Sequence, residues 1–185
     1  MAIAALALFA AMMLLMGALR TLIQCRCTGE SGNRRTLLPD GSLEWWALIV
    51  ADVGYLMVGA GAPLAALAGM SPLGVVDPPM LRGLGVVLAV LGMLAAFAAQ
   101  LSLGASWRVG IDEAERTGLV TTGAFRIVRN PIFSAVLLAF AGPALMVPNL
   151  VAIAGLVVAV TGVQLQVRLV EEPHLHRVHG HAYTD

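Results

Sequence analysis

The chain of 185 residues is 59% hydrophobic and only 12% charged, with a mean hydropathy of +0.87. A soluble domain of this length has too much surface for its volume to hide so many apolar side chains, which excludes a soluble enzyme and predicts that lipid is the main solvent. The formal net charge is zero and the length suits one compact domain, so neither a nucleic-acid-binding protein nor a separate soluble domain is expected.

Five apolar segments approach or exceed the length of about 20 residues that a helix needs to cross a bilayer. They are residues 2–23, 45–70, 81–103, 131–147 and 150–167. The first has no basic residues ahead of it and is too long for a signal peptide, so it is expected to be a retained helix. Only Pro148 and Asn149 separate the last two, which are short and are expected to form a tight antiparallel hairpin.

These segments predict an all-α polytopic membrane protein with about five transmembrane helices and no Rossmann domain. The whole chain, 1–185, is expected to be a single integral-membrane domain. Residues 1–103 would supply three N-terminal spans, and residues 104–185 a polar loop, the helical hairpin and a tail.

Arginine placement predicts the orientation. All 11 basic residues are arginines, and all except Arg82 lie in or beside the first loop, the third loop or the carboxyl-terminal tail. Basic residues collect on the cytoplasmic side, so the amino terminus is predicted to lie outside and the carboxyl terminus in the cytoplasm. The absence of lysine and the abundance of Ala, Gly, Val and Leu favour a GC-rich bacterial genome, and hence the bacterial cytoplasmic membrane.

The end of the fifth segment carries charge. Gln164, Arg168, Glu171 and Glu172 are spaced i, i+4, i+7 and i+8, which places them on one stripe of an α-helix. Charge in lipid is costly unless it is paired or used. Pro173 is expected to break or kink the helix directly after the acids. Snorkelling and a helix-end salt bridge between Arg168 and Glu172 would account for these residues as well as a functional site would.

A polar loop leads into the fourth segment and ends in Arg126, Arg129 and Asn130. Pro131 suits the first turn of a helix and Asn130 its N-cap, while a helix start presents free N–H groups and a positive dipole end to an anion. Positive-inside anchoring alone would also explain the arginines. Because the hairpin returns the fifth segment to this face, the arginines and the acids are expected to meet. A site of mixed charge at the lipid–water boundary suits a reaction between a polar cofactor and a lipophilic substrate.

Two stretches, "LVTTGAFRIVRNPIF" and "RLVEEPHLHRVHGHAY", carry a family resemblance. They resemble the isoprenylcysteine carboxyl methyltransferase family, which typically shows LVTxGxYxxxRHPxY, a hairpin, and an Arg followed by a Glu-Glu pair and a Gly-x-x-Tyr motif. Its wider membrane superfamily includes the phospholipid methyltransferases. The resemblance covers about residues 104–183. It implies a bacterial membrane enzyme that binds S-adenosyl-L-methionine (SAM) on its cytosolic side and methylates a lipophilic or lipid acceptor, releasing S-adenosyl-L-homocysteine (SAH).

The resemblance also implies roles for individual residues. The expected cofactor-binding residues are Gly110, Leu119, Val120, Gly123, Phe125, Arg129, Asn130, Pro131, Phe133, Glu171 and Glu172. Arg168 is the expected catalytic residue, facing the substrate. Asn130 stands where the family has His, and Phe125 and Phe133 where it has Tyr. Asparagine still donates and accepts hydrogen bonds whereas phenylalanine does not, so a change in proton handling or affinity is expected.

The chemistry of methyl transfer favours certain acceptors. A carboxylate or thiolate needs no strong base, whereas a protonated amine does. All four histidines lie in the tail beyond the fifth segment, so a carboxylate or thiol acceptor is favoured. Their spacing does not follow one helical face and none lies in a span, so neither a metal site nor a bis-His haem is expected.

Two other functions stay open at this stage. Asp52 is an acid inside the second segment and would suit a small proton-coupled transporter, although a wetted position or pairing with an arginine explains it too. The altered His and Tyr positions would suit a non-catalytic membrane subunit that retains the fold. The tryptophans at 45, 46 and 107 are expected to form an interfacial belt.

Overall fold

A computed structural model describes residues 1–35, 41–74, 78–110 and 122–179. Its main elements are five helices: α1 (Ala2–Thr28), α2 (Leu43–Leu67), α3 (Pro79–Ser102), α4 (Pro131–Met146) and α5 (Leu150–Val178). Four are long and apolar enough to cross a membrane, and α4 is a shorter apolar helix of 16 residues. In the described ranges the only strand-like pairing is an isolated bridge between Asn33 and Val109. The predicted all-α membrane fold is therefore confirmed.

The ends of the first two helices are set by local chemistry. α1 runs about a turn beyond its predicted end and stops where Gly29 adopts a left-handed backbone with φ of 81°. α2 begins at Ser42, whose hydroxyl accepts a hydrogen bond from the Trp45 N–H at 3.0 Å. Trp46 is 54% exposed beside it, as expected of an interfacial residue.

Small residues let α2 and α5 touch through their backbones. A Cβ added to Gly54 would lie 2.2 Å from the Ala159 nitrogen, and one added to Gly162 would lie 2.3 Å from the Ala51 nitrogen. Such contacts stabilise helix pairs in lipid, where burial of apolar surface gives little driving force. The same kind of packing joins α3 to α4 through Gly85, Gly92 and Gly142.

The last two helices are joined by the short connection that the sequence predicts. Asn149 caps α5: its side-chain oxygen accepts from the Ala152 N–H at 2.9 Å, and its amide donates to the Ala62 carbonyl of α2 at 2.8 Å. Beyond this connection α4 packs chiefly along α3, and α5 packs chiefly along α2. The start of α4 and the end of α5 are therefore positioned by different neighbours.

α5 does not end at Pro173. It widens into a π-helix over Gln166–Glu171 and continues as an α-helix over Glu172–His179. Proline lacks an N–H and its ring crowds the carbonyl four residues earlier, and a wider turn just before it relieves both effects. A π turn, Met57–Gly61, likewise precedes Pro63 in α2. The helix therefore continues through Pro173 instead of breaking there, because the wider turn accommodates the proline.

Phe140 of α4 lies at the centre of the bundle, with 1% of its surface exposed. Its ring stacks on Tyr55 of α2 at 4.4 Å and meets Phe9 of α1 edge-on at 6.1 Å. These aromatic contacts tie α1, α2 and α4 together.

Candidate functional site

Two loops pack against each other where α1 ends, α2 begins and α3 ends. The Arg34 N–H donates to the Val109 carbonyl and the Val109 N–H donates to the Gly32 carbonyl, both at 2.9 Å. Gly32 has φ of 71°, and a Cβ there would lie 2.9 Å from the Trp107 carbonyl oxygen, so glycine is required. This pairing fixes the segment after α3 against the loop before α2.

Gly110, one of the expected cofactor-binding residues, lies beside the first turn of α2. Its φ is 90°, and a Cβ there would come within 3.2 Å of Glu44 Oε1 and 3.3 Å of the Arg35 nitrogen. A ligand that approaches Gly110 therefore also meets the carboxylate of Glu44. Sequence reasoning missed Glu44, because an acid in the first turn of a helix is usual for its interaction with the helix dipole.

Glu171, from the acidic pair, lies in the π turn of α5, which packs against α2. The π turn brings residues five apart into register, and the Glu171 carboxylate is hydrogen bonded to the Gln166 side chain and is close enough to Glu44 for that charge to act on it. Gln166 is 1% exposed and its Oε1 has no hydrogen-bond partner, so its amide group is the donor to Glu171. Gly110 therefore lies against Glu44, and the π turn that carries Glu171 packs against the same helix.

The π turn also changes the predicted stripe of charge. Gln164 and Arg168 are exposed, whereas Glu171 and Glu172 are half-buried. Glu171 therefore leaves the stripe predicted for a regular α-helix, since the π turn shifts it relative to Gln164. In the part of the chain that the structure describes, Arg168 forms no ion pair with Glu172.

The start of α4 forms a second group of expected site residues. Gly123, with φ of 62°, opens a 3₁₀ turn, Gly123–Arg126, that packs against α3. Asn130 and Pro131 are the N-cap and the first residue of α4, as predicted. The Asn130 side chain makes no cap hydrogen bond, and its backbone carbonyl accepts the first bond of the helix from the Ser134 N–H at 3.1 Å and a second from the Ser134 hydroxyl at 3.0 Å. Its amide is therefore not committed to the cap.

The remaining expected residues are distributed around this group. Phe125 and Phe133 are half-buried and Arg129 is exposed. Leu119, Val120 and the Gly-x-x-Tyr match in the tail lie outside the described residues. The structure therefore places Gly110 beside Glu44, packs the π turn of Glu171 against the same helix, and places the 3₁₀ turn Gly123–Arg126 beside α3.

Two further sequence expectations are resolved by the contacts. The Asp52 carboxylate forms an ion pair with Arg35 at 2.6 Å, so the acid that suggested a transporter is compensated by an arginine of the same chain. Trp107 is 4% exposed and packs under Gly32, so its expected place in an interfacial belt is wrong. Among the described residues, no three His, Cys, Asp or Glu side chains gather in a way that could hold a metal ion.

An apolar groove between α1 and α3 does not coincide with these groups. Aliphatic and thioether side chains line it: Ala11, Leu14, Leu15, Ala18, Leu19, Leu22 and Met93. Its lining side chains are all apolar and could not orient a polar reacting group, so this groove is not the candidate site.

Comparison with known proteins gives one match. A family model described as phospholipid methyltransferase matches residues 81–182, a range that includes Gly110, α4 and both acids of the Glu-Glu pair. No curated protein and no solved structure is significantly similar to the chain. The match covers more than half of the sequence and confirms the membrane methyltransferase superfamily that the motifs resemble. The chain belongs to the phospholipid methyltransferase family.

Proposed function

We propose that the protein transfers a methyl group from SAM, bound at the Glu44 end of the bundle, to a lipophilic acceptor that enters from the bilayer. The observation that carries this proposal is that Gly110 lies against Glu44 of α2 while the π turn that carries Glu171 packs against the same helix. Two of these three residues lie in the segment that matches a methyltransferase family. The third comes from α2 and completes the arrangement.

The residues present fit the chemistry of SAM. Its sulfonium and amino groups are cationic and its ribose carries two hydroxyls, all of which interact favourably with carboxylates. Glu44 and Glu171 supply carboxylates from two helices, and Gly110 lets the backbone approach Glu44 closely, since a Cβ there would lie 3.2 Å from Glu44 Oε1. The Gln166 amide holds Glu171 in place, so the orientation of this carboxylate is set before a ligand arrives.

When bound, SAM supplies the activated methyl group, and the chain has to bind, orient and exclude water. The methyl group would pass to an acceptor oxygen or sulfur in an in-line displacement, and the electron pair of the broken bond would stay on the cofactor sulfur, giving SAH. A carboxylate or thiolate acceptor releases no proton in this step, which suits a bundle whose histidines all lie at or beyond residue 174. Arg168, exposed near the end of α5, is proposed to bind the anionic group of the acceptor.

The proposed location follows from the arginines. The loop pairing, Gly110 and Glu44 all lie at the end of the bundle that carries the arginine-rich loops, which the positive-inside rule assigns to the cytoplasm. SAM would reach this end from the cytosol. We infer a bacterial cytoplasmic membrane protein with its amino terminus outside.

Calorimetric titration of the detergent-purified protein with SAM and SAH tests the proposal. Micromolar binding is expected, and the double variant Glu171→Ala, Glu172→Ala is expected to lose it. Glu30→Ala is the matched control, because Glu30 is an exposed acid that forms an ion pair with the nearby Arg34. Absence of SAM and SAH binding to the unmodified protein would instead support a non-catalytic subunit that retains the fold.

A further inference from the structure

Arg20 of α1 is buried in the bundle without an acidic partner. It is 1% exposed, and in the described ranges its guanidinium interacts only with neutral groups. Nη2 donates to Gln24 Oε1 at 2.9 Å and to the Gly104 carbonyl at 2.8 Å, while Nε donates to the Gln100 carbonyl at 3.4 Å. The guanidinium carbon also lies 4.4 Å from the ring centroid of Trp107.

These contacts are directed at the end of α3 and the turn that follows it. The last carbonyls of a helix have no partner within the helix, and Arg20 supplies donors to two carbonyls at this end. Gln24, one turn along α1, adds a hydrogen bond to the Ala105 carbonyl at 2.9 Å. Together the two side chains of α1 hold the 3₁₀ turn Gly104–Ser106 through hydrogen bonds to its carbonyls.

Trp107 connects this turn to the candidate site. Its ring lies against the Arg20 guanidinium and against Gly32. Two residues later, Val109 forms backbone hydrogen bonds with the loop before α2. Gly110 follows directly and meets Glu44. A continuous set of contacts therefore runs from Arg20 to the carboxylate at the site.

Helix packing alone does not account for a charge at this position. A buried charge costs several kcal/mol to desolvate, and an apolar side chain of similar volume joins two helices at lower cost. Arg20 also directly follows a π turn, Met13–Leu19, a feature that often re-aims a side chain at functional sites. It lies outside the range that matches the family model, so the family match assigns it no role.

We propose that Arg20 is a positioning residue for the cofactor site: by holding Trp107 and the turn before it, Arg20 sets the place of Gly110 relative to Glu44 and Glu171. This inference rests on the proposed function, because the site it positions is the SAM site.

Trp107 provides the readout. The chain has three tryptophans, so Trp45→Phe, Trp46→Phe leaves Trp107 as the only one. In that parent, Arg20→Gln is expected to shift the Trp107 emission maximum and to raise the Kd for SAH about tenfold to a hundredfold. Arg26→Gln, which changes an exposed arginine on the same helix, is expected to change neither.

The outcomes separate the two proposals. A folded Arg20→Gln protein that binds SAH as tightly as the parent overturns the positioning role. If Arg20→Gln does not fold, Arg20→Lys is tested in its place. Lysine keeps the charge but lacks the planar guanidinium that reaches both the Gly104 and the Gln100 carbonyls, so weaker SAH binding is expected. Unchanged SAH binding in the lysine variant overturns the positioning role. A parent that binds no SAH overturns the proposed function, and the inference about Arg20 falls with it.

Discussion

Arg35 and Asp52 form an ion pair at 2.6 Å that joins the loop before α2 to the interior of that helix. The two side chains are 32% and 39% exposed, so the pair is expected to contribute only about 0–1 kcal/mol to the free energy of unfolding. Asp52→Asn should therefore lower the melting temperature slightly and leave SAH binding intact. Thermal unfolding in detergent and SAH titration would check this, with Glu30→Gln as the control that breaks an exposed pair. Loss of SAH binding at an unchanged melting temperature would show that Asp52 has a functional role.

Glu171 and its neighbour in the acidic pair should differ in their effect on cofactor binding. Glu171 is held by Gln166 in the π turn that packs against α2, so Glu171→Gln is expected to weaken SAM binding by about 1.5–3 kcal/mol, the range for a hydrogen bond to a charged group. Glu172→Gln is expected to have a smaller effect. Titration of each single variant with SAM measures the difference. Equal affinities for the wild type and the Glu171 variant would remove Glu171 from the site.

Gln166 should act on the cofactor through Glu171. Gln166→Leu removes the donor to Glu171 while keeping a similar volume in a buried position. We expect SAM affinity to fall while the double variant Gln166→Leu, Glu171→Gln is no worse than Glu171→Gln alone. Such non-additivity, measured by titration as a double-mutant cycle, indicates that two residues act as a unit. Additive losses would contradict the positioning of Glu171 by Gln166.

Arg168→Ala should separate acceptor binding from cofactor binding. Because Arg168 is exposed and forms no ion pair with Glu172 in the described structure, its loss is expected to leave SAH affinity unchanged. Activity on an anionic lipophilic acceptor should fall through a higher KM. Arg26→Ala serves as the control for removing one arginine from this face. A weaker SAH affinity with an unchanged acceptor KM would place Arg168 at the cofactor instead.

The effect of a glycine-to-alanine change on stability should depend on how closely another helix approaches that glycine. In Gly162→Ala the new methyl group would lie 2.3 Å from the Ala51 nitrogen, so α2 and α5 must separate, at a cost of about 1–3 kcal/mol or more. Gly83, in α3, has no atom within 4 Å of an added Cβ, and Gly83→Ala should be neutral or stabilise the helix by up to about 1 kcal/mol. Thermal unfolding of the two variants in detergent tests the contrast. Equal melting temperatures would mean that the α2–α5 contact is looser than described.

The sequence predicts where the helices lie better than it predicts which side chains each helix directs toward its neighbours. Apolar length locates the four helices that are long enough to cross a bilayer, because crossing requires that length whatever the packing, and an apolar run also marks the shorter α4. The face that Glu171 presents could not be predicted, because it depends on a π turn that accommodates Pro173. Glu44 lies outside the resembling motifs, and Trp107 looks like an interfacial residue until its contact with Arg20 is known. These features depend on contacts between distant segments, which periodicity along the chain does not report.

The π turn before Pro173 has a consequence for changes in chain length. A π turn holds about one residue more than an α-helical turn, so deletion of a single residue between Gln166 and Glu171 would restore α-helical hydrogen bonding without breaking α5. The wide turn already absorbs the extra residue, so the part of α5 that follows would keep nearly the same orientation around the helix axis. Gln166 and Glu171 would then be four positions apart instead of five, which is the spacing that brings two side chains together on an α-helix. A one-residue gap at this point in a relative is therefore compatible with the same contact between the amide and the acid.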